Sequence, residues 1–414
     1  MTYRYLWQNA YIAHNREAGG YRTPTDTLDA ALATIYAMDV RRDDQIDIPD
    51  PALNKEEIPV GGTDSRNANG FDADHEFQIG DGSIPLYVQT AIFAYRAMGT
   101  CVTTGTDTAI SAQTVASVTN ATITVTSAGW SVNAYSGMMV VVTAGDNSGS
   151  KYHILSNTSE VLTVDKTVPA TLATDTIKIQ GPPYTHAITE NNTSIPSWSV
   201  HAEMQNDVDG DSIRTDLLGC LVKQHKIRLE SGSGHQDVDY ICSKAVAGSE
   251  IAKPTELSHP LIELKSISTF TLTYNSATPV LISDVVSIEP VITNDVDIEH
   301  VGGDAYALTP KYGLRDYEFN IEYNPTNDTL YGLRNTADAS YATTIPLVAK
   351  FGSDASHYIQ YTYTSMKVAD HDKLLPSKDK GYLQSKCTLR NRAGGTLAIE
   401  GVDDYGLAYY EGST

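Results

Sequence analysis

A mainly β fold is predicted by three observations. Tyr outnumbers Phe 25 to 6, and Thr, Val and Ile recur in short runs, a usage that suits strands with one half-wet face. Most apolar residues then recur at period two, while helical periodicity is confined to three short stretches. At 414 residues the chain exceeds what one hydrophobic core usually organises, so a main domain with an inserted or appended one is expected.

In chain order, the first expected helix covers residues 27–38, with Leu28, Leu32 and Ile35 on one stripe behind Pro24, Thr25 and Asp26. Residues 42–82 hold Pro49, Pro51, Pro59, Gly61, Gly62, Gly70, Gly80 and Gly82 among scattered acids, the pattern of a long connection used by a partner, or of a disordered loop. A second helix is expected from Ser83 to Gly99, with Leu86, Thr90, Phe93 and Ala97 on one face. A third begins near Asn327 and carries Leu330, Tyr331 and Leu333.

From residue 102 to 179 the texture changes. Five short strands are expected at 121–126, 138–143, 152–155, 161–164 and 175–179, separated by Gly, Asn, Ser and Asp turns. Residues 101–182 carry five acids and three lysines, a balance of −2, while the whole chain has 29 Lys and Arg against 51 Asp and Glu, a net −22. That break predicts three segments: 1–100 as the first part of the main domain, 101–182 as a small inserted all-β domain, and 183–414 as the second part. Longer alternating runs follow at 197–203, 226–230, 238–242, 268–274, 317–323, 358–364 and 387–391. Each buries one face and offers the other to water or a partner.

The acidic balance argues against a nucleic-acid reader that works by phosphate neutralisation. The first 30 residues lack the apolar core of a signal peptide, and no 18-residue apolar run occurs, so neither secretion nor membrane insertion is expected. Cys101, Cys220, Cys242 and Cys387 form no CxxC pair, and all four are expected reduced and mostly buried. Asp207, Asp209, Asp211 and Asp216 are a calcium candidate: in an EF-hand register Asp207 and Asp209 take the third and fifth positions, Gly210 the sixth and Asp216 the twelfth. Gln205 at the first position, Asp for Glu at the last, and strand-like flanks depart from that pattern; a solvated acidic hairpin turn is the alternative. Asp72, Asp74, His75 and Glu76 are metal-friendly residue types inside the long acidic connection. No HxxxH on a plausible helix, GxSxG, Walker loop or GxGxxG after a strand occurs, so no catalytic centre and no cofactor are expected.

Residues 184–245 run Tyr-Thr-His-Ala-Ile-Thr, then Ile195-Pro-Ser-Trp-Ser-Val, then Leu218-Gly-Cys-Leu-Val-Lys-Gln-His-Lys-Ile-Arg-Leu-Glu-Ser, then Asp237-Val-Asp-Tyr-Ile-Cys-Ser-Lys244. This order resembles the tail tube proteins (major tail proteins) of long-tailed phages and tailed archaeal viruses. Residues 86–99 resemble that family's preceding helix, and 317–367 its later strand, helix, strand and strand. Residues 127–179, with Trp130-Ser-Val-Asn-Ala-Tyr-Ser-Gly137, are similar to a small β module inserted in many phage structural proteins. The resemblance implies a tail-tube β-sandwich or barrel with short accessory helices, no catalysis, and hexameric rings stacked into a tube with other tail proteins. Double-stranded DNA passes through such a lumen without specific binding. The virion tail would be the final location, after assembly in the host cytoplasm, with residues 101–182 projecting outward. A reading from another class is a carbohydrate-binding, adhesin-like β protein of a tail fibre or cell surface that uses tyrosines on a β face.

Overall fold

A computed structural model describes residues 10–16, 36–38, 51–58, 71–79, 81–108, 110, 112–205, 212–229, 234–247, 271–272, 280–281, 285–299, 309–323, 345–352, 355–371, 385–391 and 394–410. The fold is mainly β. All described strands but two belong to one antiparallel hydrogen-bonded network, and the alternating runs read from the sequence lie on them.

The pivot of the main body is the strand Ser212–Arg228, which belongs to two sheets in turn. Its first half pairs with Trp198–Gln205, which continues to Ala10–Arg16, and on the other side with Lys244–Ala247. At Gly219 the backbone takes φ +65°, a left-handed value that favours glycine. From Leu221 onward the same strand pairs with His235–Ile241 and with Val285–Glu299. That second sheet extends through Thr309–Tyr323, Ser385–Asn391 and Tyr358–His371. Leu397–Asp403 then joins Tyr358–His371 to the long strand Thr176–Glu190. Between the sheets lies the helix Ile92–Met98, every residue of which is buried. It ends where Gly99 turns left-handed at φ +106°, and a Cβ there would meet Asn191 Cβ at 2.6 Å and the Ser194 carbonyl at 2.7 Å.

A buried amide locks this helix to the sheets. Asn294 Nδ2 donates to the Ala97 and Val222 carbonyls, both at 3.0 Å, and its Oδ1 accepts from Arg315 Nε at 2.6 Å. One side chain thus satisfies an orphan carbonyl at the helix end and another at the bulge after Val222.

Residues 115–179 hold a second core, distinct from that of the body. Ile123, Trp130, Val140, Ile154, Leu162, Leu172 and Ile177 are among its buried members. The strand Thr176–Glu190 runs through both: Ile177 and Ile179 face the module's core, while Ile188 belongs to the body's. A small node of Met139, Tyr184 and Val141 lies where the two meet, and Lys151 Nζ donates to the Thr103 carbonyl across the junction.

Several expectations are corrected. The helix expected from Ser83 is a strand, Asp81–Tyr87, followed by the shorter helix. Ile84 and Leu86 are buried at period two, and Pro85, which has no N–H to give, is tolerated where, among the described strands, only one neighbour pairs with this one. The connection 42–82 contains a hairpin of Pro51–Ile58 against Phe71–Ile79 in place of continuous loop. Tyr36–Ala37, at the end of the first expected helix, is a strand paired with Ala10–Arg16. Residues 27–35 and the helix expected near Asn327 lie outside the described residues. Cys220 and Cys242 form a disulfide, contrary to the expectation of four reduced thiols, whereas Cys101 and Cys387 are not disulfide-bonded. The pair has no CxxC spacing because strand register, not local sequence, brings it together: Leu221 lies opposite Ile241, so the next positions outward face each other. Six tyrosines, Tyr184, Tyr240, Tyr317, Tyr361, Tyr363 and Tyr410, are among the largest fully buried side chains and so have no half-wet role.

Candidate functional site

Three buried polar centres bring together groups that could carry chemistry. In the first, Thr103 Oγ1 lies 3.0 Å from His186 Nδ1, and His186 Nε2 lies 3.2 Å from Asp403 Oδ1. This hydroxyl–imidazole–carboxylate row has the order of a nucleophilic triad. Its members are 0, 0 and 1% exposed, and Tyr410 stacks on the imidazole with ring centroids 3.6 Å apart. No substrate reaches a hydroxyl so enclosed. The row instead docks the C-terminal segment. Tyr410 OH donates to Asp403 Oδ2 at 2.6 Å and accepts the Ala91 N–H at 2.9 Å, where the helix has no side-chain cap of its own.

The second centre surrounds the helix face. Arg96 Nη2 meets His14 Nδ1 at 2.8 Å, and its guanidinium lies over the rings of Trp198 and Phe93 at 4.7 and 5.2 Å. Burial, then the Arg96 and His201 charges, hold His14 well below the usual imidazole range. Arg214 Nε donates to Asp216 Oδ1 at 2.6 Å, and His201 Nδ1 lies 2.8 Å from the same oxygen. Burial pushes the Asp216 carboxyl up, but His201 and Arg214 outweigh it and leave the group below the usual carboxylate range. Beside this centre lies a small cleft lined in part by His14, Gln89, Thr90, Gln236 and Tyr409.

In the third centre, Gln236 Nε2 donates to the Tyr87 carbonyl at 3.2 Å, so its Oε1 accepts from His225 Nε2 at 3.1 Å. His225 Nδ1 is then an unprotonated buried nitrogen without a partner. Burial holds the ring's pKa at about 4, against the weaker opposing effects of Gln236 and Asp237.

Of the calcium candidates, Asp207, Asp209 and Asp211 lie outside the described residues. Asp216 sits within the sheet opposite His201, while the hairpin end is at Gln205 and Ser212. Its Oδ1 already serves Arg214 and His201. Asp72, Asp74, His75 and Glu76 lie on the strand Phe71–Ile79. Among the described residues no three or more His, Cys, Asp or Glu are placed to hold a metal ion, and no helix is long and apolar enough to cross a membrane.

What the described surface does offer is open sheet edges. Gly99–Asp107 pairs with Thr176–Glu190 on one side and with no described strand on the other. Among the described residues, Asp81–Tyr87 pairs with His235–Ile241 alone. Residues 309–317 have Val285–Glu299 on one flank, while Ser385–Asn391 joins the other flank only from Glu318. Two of these edges carry exposed apolar side chains, Val102 at 51% and Leu314 at 87%. A strand flank with no described partner strand, next to exposed apolar side chains, is a template for pairing with another chain. The preference for period-two runs signalled strands, but not which would be left at an edge.

No protein-family model matches the chain, and no curated protein matches it.

Proposed function

We propose that the chain is a structural virion protein that assembles into hexameric rings stacked as a viral tail tube, a conduit for DNA during genome ejection. What supports this reading is that, among the described residues, several strands of a large β network have a partner strand on one side only, the arrangement that a neighbouring copy would complete. The net charge of −22 suits a lumen that repels the phosphate backbone and so lets DNA slide without sticking. Residues 101–182, with their own core and near-neutral composition, are assigned as an outward-facing module. The reading makes the protein non-enzymatic. Burial of six tyrosines gives less support to the carbohydrate-binding reading, which needs aromatic rings on an accessible face.

The test is negative-stain microscopy of the concentrated protein, alongside its mass by light scattering. Rings or tubes with a central hole are expected. A dispersed monomer or trimer that stays so when seeded with preformed tail tips would overturn the proposal and move glycan-array binding forward. Replacing lumen carboxylates with Lys is expected to slow DNA passage while rings still form.

A further inference from the structure

Cys220 and Cys242 sit where the body turns its corner. The strand Ser212–Arg228 leaves Lys244–Ala247 after Leu218 and takes up His235–Ile241 at Leu221. The transition is bracketed by the left-handed Gly219 and by the Ser243 N–H, which donates to the Leu218 carbonyl at 3.0 Å. Backbone pairing on both sides holds the two Cα atoms 4.0 Å apart, so the sulfurs are brought together by strand register. Both are enclosed, Cys220 at 0% and Cys242 at 3% exposure, and the buried Trp198 lies opposite Cys220 on the neighbouring strand.

Thiol–disulfide exchange needs in-line access of a thiolate to a sulfur, and the finished core denies that access to any external thiol. We propose that Cys220–Cys242 is a folding-timed redox lock, closed by a small-molecule disulfide while the corner is open and then sealed by the core against reduction. One cysteine, as thiolate, attacks a sulfur of the oxidant RSSR and expels RS⁻, giving a mixed disulfide. The second thiolate displaces the remaining RS⁻ and forms the Cys220–Cys242 bond. Two protein thiols are thereby oxidised, one RSSR is reduced to two RSH, and the two protons lost by the cysteines pass to the released thiolates. The lock stabilises the corner in whatever medium the folded protein later meets. It does not depend on the tube reading.

The test uses the full chain refolded with oxidised glutathione and then alkylated with iodoacetamide, with adducts located by peptide mass spectrometry. Denatured without reductant, the protein is expected to label at Cys101 and Cys387 alone; denatured and reduced, it labels at all four. Folded and treated with a phosphine reductant, Cys220 and Cys242 are expected to label at least about a hundredfold more slowly than in denaturant, as for a site exposed only by rare opening. Four adducts in the denatured, unreduced sample would overturn the bond. Equal labelling rates in the folded and denatured reduced samples would overturn the seal.

Discussion

Replacing Tyr410 with Phe tests whether the C-terminal segment is held by a specific polar clip or merely by apolar burial. The hydroxyl makes two contacts: it donates to Asp403 Oδ2 at 2.6 Å and accepts the Ala91 N–H at 2.9 Å. Burial, then the Asp403 charge, hold the phenol well above its usual range, so it remains a donor at any working pH. A hydrogen bond to a charged group is worth about 1.5–3 kcal/mol and a neutral one about 1 kcal/mol. Their loss leaves a carboxylate oxygen and a helix N–H short of a partner, because Asp403 is 1% exposed and Ala91 has no side-chain cap. Tyr410→Phe is therefore expected to destabilise by about 3 kcal/mol. Tyr361→Phe supplies the contrast, since that ring is also fully buried but its hydroxyl has no hydrogen-bond partner. Its removal is expected to be neutral or slightly stabilising. The assay is urea unfolding followed by tryptophan fluorescence, comparing midpoints at unchanged slope. Equal midpoints for the two variants would refute the argument that the Tyr410 hydroxyl, and not its ring, anchors this end of the chain.

Three other outcomes follow from the same structure. His225 is held at about 4, below the ordinary 6.5, so its neutral form contributes stability that is intact above pH 6.5 and is lost as pH falls toward 4. The full effect is about 3 kcal/mol, and His225→Leu is expected to flatten the fall in urea midpoint between pH 7 and 4.5; an unchanged slope would count against it. The double variant C220S/C242S removes a link across 22 residues, for which loop-closure entropy gives a loss of about 3 kcal/mol, read by calorimetry; a loss under about 1 kcal/mol would mean that strand pairing alone fixes the corner. Replacing residues 108–179 with a short Gly-Ser turn should leave the body folded, because Asp107 pairs directly with Gln180. The readout is the tube or ring population by microscopy, and loss of assembly would show that the module is not peripheral.

The sequence by itself determined the class of the fold and most of its strand positions. Period-two alternation in 317–323, 358–364 and 387–391 is a local property of the chain, and the strands Thr309–Tyr323, Tyr358–His371 and Ser385–Asn391 lie there. Within the stretch whose composition changes after residue 101, residues 115–179 hold their own hydrophobic cluster. Residues 81–87 form a strand although Leu86, Thr90, Phe93 and Ala97 share one helical face behind Ser83-Ile84-Pro85; pairing with His235–Ile241 decides otherwise. The disulfide, the Asn294 clamp and the Thr103–His186–Asp403 row join residues from 22 to 217 positions apart. Their partners are set by register and by the crossing of two sheets, which no window of sequence contains. The same holds for the open edges, since whether a strand is flanked on both sides is a property of its neighbours and not of its residues.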